Sequence, residues 1–95
     1  IITLQKAVKI DPNYPPSHYN LGVAYTQKGM FDEAISELEK AIQLAPDSIE
    51  ARYHLAMLYA KIGRYREAKL QLKEALRLNP KFKPARSALK QLPAD

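Results

Sequence analysis

The feature that most constrains the fold is a repeat with a period of 34 residues. When the sequence is aligned with itself at that offset, large apolar, small and chain-breaking residues keep their class. The coinciding sets are Pro12/Pro46/Pro80, Ala7/Ala41/Ala75, Leu4/Leu38/Leu72, Ile10/Leu44/Leu78, Leu21/Leu55/Leu89, Tyr25/Tyr59, Gly29/Gly63, Phe31/Tyr65, Glu33/Glu67 and Ala34/Ala68. A fixed period of this length indicates an array of one repeated supersecondary unit.

Each copy of the repeat contains two stretches with apolar residues at helical spacing, separated by glycine or proline. The pattern predicts an all-α chain with helices near residues 2–10, 16–28, 31–44, 49–62, 65–78 and 83–92. Gly29 and Gly63 are expected to close helices in the left-handed conformation. Asp47 or Ser48 is expected to cap the fourth helix, and Asp47 with Glu50 has the spacing of a capping box.

One set of spaced residues resembles the tetratricopeptide repeat (TPR) family. The matching residues are Leu21, Gly22, Tyr25, Gly29, Phe31, Ala34, Ala41 and Pro46, followed one period later by Leu55, Ala56, Tyr59, Gly63, Tyr65, Ala68, Ala75 and Pro80. The tryptophan that is usual near the start of the repeat is replaced by His18 and Arg52. The resemblance implies a right-handed helical solenoid of antiparallel helix pairs that holds other proteins or peptides.

The repeat register divides one expected TPR-like domain, residues 1–95, into four segments. Residues 1–14 correspond to the second helix of a truncated repeat, 15–48 and 49–82 to full repeats, and 83–95 to a capping helix and tail. Because residue 1 is Ile rather than Met, the chain is expected to be part of something longer. Leu4, Ala7 and Val8 would then lack a covering helix, so we expect a homo-oligomer formed through this N-terminal helix.

Composition narrows the class of protein further. An apolar content of 46% is sufficient for a core, and the absence of cysteine excludes disulfides and thiolate metal sites. No apolar run approaches the length of a membrane span and no leader precedes the first repeat, so membrane insertion is not expected. These features leave the compartment undetermined and slightly favour the cytoplasm.

Charge is distributed unevenly between the two full repeats. Residues 15–48 carry two basic and five acidic side chains, whereas residues 49–82 carry eight basic and three acidic ones. The basic repeat could face an acidic partner or nucleic acid, or it could be a solvated outer face. The helical spacing of Arg66, Lys69 and Lys73 favours the solvated face. A nucleic acid is not expected, because its binding requires a denser basic cluster with stacking aromatic residues.

By the resemblance, the binding surface is the concave groove lined by the first helix of each pair. The helical period assigns to it Tyr19, Asn20, Val23, Thr26 and Gln27, then Glu50, Tyr53, His54, Met57, Ala60 and Lys61, and finally Ser87, Ala88 and Gln91. Tyr19 and Tyr53 lie one period apart. They offer rigid apolar area with a polar tip to a peptide; alternatively, they cover the groove floor and contact each other.

One TPR class grips the C-terminal carboxylate of chaperone tails with Lys, Asn and Arg side chains. Of these residues only Asn20 is present here, and the positions of the next repeat's Lys and Arg hold Glu50 and His54. This specificity is therefore not expected, because Glu50 would repel a carboxylate.

Catalysis is not expected either. His18 and His54 are the only histidines and lie about 200° apart on equivalent helices, so no metal site or cofactor is expected. Two functions remain: a protein-protein interaction module or scaffold that binds a peptide in the groove, and a structural array segment that stacks on further repeats or on copies of itself.

Overall fold

The computed structural model describes residues 1–93, which form six α-helices and no strand. The helices are α1 (Ile2–Ile10), α2 (Pro15–Gln27), α3 (Phe31–Leu44), α4 (Ile49–Lys61), α5 (Tyr65–Leu78) and α6 (Lys83–Gln91). Each predicted helix end lies within one residue of the observed one, so the all-α prediction is confirmed. None of these helices combines the length and apolar character needed to cross a bilayer.

The turns within the two helix pairs are closed by glycine, as predicted. Gly29 and Gly63 have φ values of 77° and 83°, a backbone region that other residues rarely adopt. The residue after each glycine donates its backbone N–H to a carbonyl in the last turn, from Met30 to Tyr25 at 2.9 Å and from Arg64 to Tyr59 at 2.8 Å. This bonding satisfies carbonyls at the helix end and reverses the chain direction.

Different devices start the helices. Pro15 occupies the first turn of α2, where its missing N–H removes no helical hydrogen bond. The Ser48 hydroxyl caps α4 by accepting the Ala51 N–H at 3.3 Å. The alternative cap, Asp47 paired with Glu50, is wrong, because Ser48 has the extended conformation of the capping residue and Asp47 lies one position further out.

The helices within a pair cross closely. A Cβ atom added to Gly22 on α2 would lie 2.8 Å from the Leu38 Cγ on α3 and 3.4 Å from the Ala34 carbonyl oxygen. Ala34 is itself fully buried, and Ala56, which occupies the equivalent position to Gly22 in the second pair, is also fully buried. The small residues therefore permit the close helix crossing.

The core contains two clusters, and both draw residues from α4 and α5. The first core cluster joins α2, α3, α4 and α5 through Leu21, Tyr25, Ala34, Ile35, Leu38, Leu55, Leu58, Tyr59 and Ala68. The second core cluster joins α4, α5 and α6 through Ala56, Leu72, Ala75, Ala85 and Ala88. The first core cluster draws residues from both helix pairs, so it joins α2 and α3 to α4 and α5.

A repeated polar contact, here called the proline clamp, fixes each first helix to the preceding turn. One side chain near the start of the helix donates to the carbonyl of the proline six residues earlier. The three pairs are His18 to Pro12 at 2.5 Å, Arg52 to Pro46 at 3.0 Å and Arg86 to Pro80 at 2.6 Å. His18 also contacts Glu37 at 2.8 Å, and Arg52 contacts Gln71 at 3.2 Å, one period later. His18, only 3% exposed, is therefore a buried structural residue.

Candidate functional site

Four aromatic rings form a continuous row across the first helices. The ring centroids of Tyr19 on α2 and His54 on α4 are 5.2 Å apart in an edge-to-face arrangement. Tyr53 lies 6.2 Å from His54 and 5.5 Å from Phe82, the residue before α6. We call these four residues the aromatic row. His54 lies between the two tyrosines, so the row connects both helix pairs and the entry to α6.

Most of the side chains assigned to the groove are accessible. The exposed ones are Asn20, Gln27, Glu50, His54, Met57, Lys61, Ser87 and Gln91, and the half-buried ones are Tyr19, Val23, Thr26, Tyr53 and Ala60. The assignment of Ala88 to the groove is wrong, because Ala88 is 7% exposed and belongs to the second core cluster.

Not all of the assigned side chains lie near the aromatic row. The Lys61 ammonium lies over the Phe31 ring, 5.5 Å from its centroid. The Thr26 hydroxyl donates to the Gly22 carbonyl at 2.9 Å, so its proton is used within α2. The structure thus brings Tyr19, Tyr53 and His54 together in the row, whereas Lys61 and Thr26 make other contacts.

Glu50 sets the electrostatics at the start of α4. Burial raises the pKa of the Tyr19 hydroxyl, and the nearby Glu50 carboxylate raises it further. Burial lowers the pKa of His54, and the same carboxylate partly offsets that effect. The lowered pKa favours the neutral form of the His54 ring. This end of the aromatic row consequently has negative character.

An open cleft of about 450 Å³ lies beside Tyr19, between the starts of α2 and α4 and the end of α3. We call it the Tyr19 cleft. It is lined by Pro15, Pro16, Tyr19, Ala41, Ala45, Ser48 and Glu50. Its volume lies in the range of roughly 300–1,000 Å³ that is typical of ligand pockets. The mainly apolar lining suits an apolar group, and Glu50 supplies a charge.

Phe82 and the cleft residues other than Tyr19 and Glu50 were not among the groove residues predicted from the sequence. Phe82 precedes α6 and Ser48 precedes α4, so the helical period assigns no face to either. The available signal was the repeat register, which aligns Ser48 with Phe82 and Tyr19 with Tyr53. The replacement of a small residue, Ser48, by the large Phe82 at the aligned position indicates that the packing beside Tyr19 differs from the packing beside Tyr53.

The basic side chains of the second repeat make several contacts within the chain. The Arg64 Nε donates to Glu67 at 2.7 Å, and the Arg77 Nε donates to Glu74 at 2.6 Å. The Arg64 guanidinium also lies 4.7 Å from the centroid of the Tyr59 ring. These contacts favour the solvated-face interpretation of the basic repeat. Within residues 1–93, no group of three or more acidic or histidine side chains is arranged to hold a metal ion.

The residues of α1 that were predicted to mediate self-association are less exposed than expected. Leu4, Ala7 and Val8 are half-buried, and Leu4 and Val8 pack against the first core cluster. The large exposed apolar side chains on α1 are instead Ile2 and Ile10, which are 71% and 84% exposed.

Comparisons with known proteins agree with the helical repeat. Residues 26–92 match a family model described as tetratricopeptide repeat, and residues 1–29 match a second model described as TPR repeat. A comparison with curated protein sequences found no match.

Several solved structures are similar to this chain. YrrB, a TPR protein with an unusual peptide-binding site, is 28% identical with a TM-score of 0.87, and the match covers 92% of this chain and 45% of the YrrB chain. TTC0263, a thermophilic TPR protein of Thermus thermophilus, is 36% identical with a TM-score of 0.83, and the match covers 92% of this chain and 44% of TTC0263. The first TPR of Spaghetti (RPAP3), bound to the HSP90 peptide SRMEEVD, is 24% identical with a TM-score of 0.88. The match covers 93% of this chain and 70% of the RPAP3 chain. The chain thus spans less than half the length of YrrB and TTC0263.

Proposed function

The chain belongs to the tetratricopeptide repeat family, and we propose that it is a protein-interaction module that binds a peptide or protein segment without catalysing a reaction. The binding surface in this proposal is the groove face, which comprises the accessible side chains of α2, α4 and α6 assigned above. The observation that carries the proposal is the aromatic row across these helices.

The aromatic row has the properties of a binding surface. Tyr19 and Tyr53 are half-buried, so each ring is held by packing while part of it remains accessible. Met57, which is 39% exposed on the same helix as Tyr53, adds flexible apolar area. Rigid aromatic rings with polar tips provide large contact area at a small entropic cost, and such residues are enriched at interaction hot spots.

The relatives support the proposal that this chain binds a peptide, but the particular peptide that a relative binds is not expected to bind here. The peptide in the RPAP3 structure, SRMEEVD, contains three acidic side chains. Here Glu50 lies beside the aromatic row, and burial lowers the pKa of the neighbouring His54, which favours its neutral form. An acidic peptide would meet repulsion at this point. We therefore propose a different specificity for this chain, without recognition of a terminal carboxylate by Asn20.

The test is a selection of peptides from a random displayed library on the immobilised chain, followed by affinity measurements. Replacing Tyr19, Tyr53 and Met57 by alanine should weaken the selected peptides about tenfold or more while helical content is retained. The matched control replaces Arg66 and Lys73 on the outer face. If the selected peptides bind the first variant with unchanged affinity but bind the Arg66/Lys73 variant more weakly, the binding site is on the outer face.

A second candidate function is that of a structural array segment that stacks on further repeats or on copies of itself. It is favoured by the exposed Ile2 and Ile10 on α1. Lys6 and Lys9 interrupt this surface, since they line the same shallow depression as Ile2 and Gln5. Light scattering over a range of concentrations tests whether copies of this chain associate.

For self-association we expect a dimer that the double substitution Ile2→Glu/Ile10→Glu abolishes. Leu4→Glu is a less direct test, because Leu4 also packs against the core of its own chain. Thr3→Glu, at an exposed polar position of α1, is the control. A strict monomer at high micromolar concentration would exclude association between copies of this chain.

A further inference from the structure

The Tyr19 cleft has a counterpart one period later in the same chain. In the repeat register Tyr53 corresponds to Tyr19, Ala75 to Ala41 and Phe82 to Ser48. At the counterpart the Phe82 ring is half-buried, 5.5 Å from the Tyr53 ring in an edge-to-face contact. Phe82 packs against the second core cluster, to which Ala75 belongs.

The two equivalent places differ in what fills them. Ser48 has a small side chain where the second repeat has the Phe82 ring, and the Tyr19 cleft beside it has a volume of about 450 Å³. The Tyr19 cleft has an apolar wall formed by Pro15, Pro16 and Ala45 in addition to Tyr19. An aromatic ring entering this cleft would find the edge-to-face partner that Phe82 finds in Tyr53.

We propose that the Tyr19 cleft receives one aromatic side chain, flanked by lysine or arginine, from a partner peptide. This inference rests on the proposed function, because Tyr19 and Glu50 belong to both the cleft and the groove face. It adds the class of peptide: a short basic-aromatic segment that inserts its ring beside Tyr19 and places its cationic neighbours near Glu50.

Charge determines the flanking residues. Glu50 is exposed and lines the cleft, and Asp47 immediately precedes Ser48. The repeat that supplies most of the cleft lining, residues 15–48, carries two basic and five acidic side chains. A ring flanked by lysines is also the arrangement that the chain uses internally, since Phe82 lies between Lys81 and Lys83. Complementary charge favours association with such a segment and disfavours acidic competitors.

Ser48 provides both the critical variant and its matched control. Ser48→Phe copies the second repeat into the first and fills the cleft from within the chain. It also removes the hydroxyl that caps α4. Ser48→Ala removes the same cap but leaves the cleft open, so a comparison of the two variants isolates the filling of the cleft. Ala45→Leu fills the cleft from its other wall and does not alter the cap.

The probe is a synthetic peptide with the sequence of residues 79–84, Asn-Pro-Lys-Phe-Lys-Pro, blocked at both ends. Its affinity is measured by titration calorimetry, with circular dichroism to verify the fold of each variant. We expect binding to the unmodified chain and to Ser48→Ala, and a loss of about tenfold or more with Ser48→Phe or Ala45→Leu. Alanine in place of the peptide's phenylalanine should cause a similar loss, and glutamate in place of its lysines should weaken binding. Glu50→Gln should reduce the dependence of affinity on salt.

Three results would each overturn the inference: no binding to the unmodified chain, equal binding to the two folded Ser48 variants, or equal affinity for the peptide without its ring. If Ser48→Phe does not fold, Ala45→Leu decides the second comparison. The library selection separates this inference from the proposed function. Groove-binding peptides without a basic-aromatic segment would refute the cleft assignment alone, whereas the absence of any groove-binding peptide would refute both.

Discussion

Leu55 connects the two helix pairs, and its replacement by alanine tests the packing of the whole array. Its side chain is 1% exposed and belongs to the first core cluster, which draws residues from α2, α3, α4 and α5. Leu55→Ala removes buried carbon atoms and leaves a cavity between helices that are held in place by their other contacts. Alanine is the best helix former, so the substitution does not weaken α4 itself.

The expected loss is large relative to the total stability. A buried Leu→Ala change costs about 2–5 kcal/mol, the upper values applying where the surroundings cannot collapse. A domain of this length has a free energy of unfolding of roughly 5–14 kcal/mol, from about 0.05–0.15 kcal/mol per residue. A loss of about 3 kcal/mol would lower the melting temperature by about 12–24 °C.

Urea denaturation followed by far-UV circular dichroism measures the difference in unfolding free energy. The matched control is Leu70→Ala, the same substitution at a leucine that is 61% exposed on α5. It should change stability by no more than about 0.5 kcal/mol. Hydrogen exchange of Leu55→Ala should increase in both helix pairs, because repeat arrays share stability between neighbours. Equal denaturation midpoints for the two variants would refute the assigned packing.

Three further predictions concern single residues. His18→Ala should lower the free energy of unfolding by about 1–3 kcal/mol in urea denaturation, because it leaves buried polar partners unsatisfied. His18→Arg should cost less, because an arginine forms the equivalent proline clamp at Arg52. An equal loss in both variants would contradict the clamp. In an NMR titration the pKa of His54 should lie below its ordinary value, and Glu50→Gln should lower it further because the carboxylate favours the charged ring; a rise would contradict the placement of Glu50. Gly29→Ala should cost about 1–2 kcal/mol in thermal denaturation because the φ of 77° strains any residue with a Cβ, and unchanged stability would contradict that turn geometry.

The helices and their turns could be predicted because the repeat supplies independent copies of each signal. Gly29 and Gly63 occupy the same place in two copies, and each has the expected positive φ. The choice between Asp47 and Ser48 as the cap could not be made from composition, because both side chains can accept a hydrogen bond from a helix N–H. The backbone conformation of Ser48 decides it.

The candidate site was predictable only where helical geometry applies. The period places Tyr19 and Tyr53 on equivalent faces, but it cannot place Phe82, which lies outside the helices. Ala88 has the spacing of a groove residue and is nevertheless buried, because α6 packs its small residues against the second core cluster. The coverage of Leu4 depends on how α1 packs against the core, which sequence spacing does not specify.

The most direct test of peptide binding on the groove face is an NMR map of the isotopically labelled chain titrated with a library-selected peptide. Binding on this face predicts that the largest amide shifts occur in α2 and α4 around Tyr19, Glu50 and His54. Shifts confined to the outer helices α3 and α5, for example around Lys40 and Lys73, with those three residues unchanged, would contradict it.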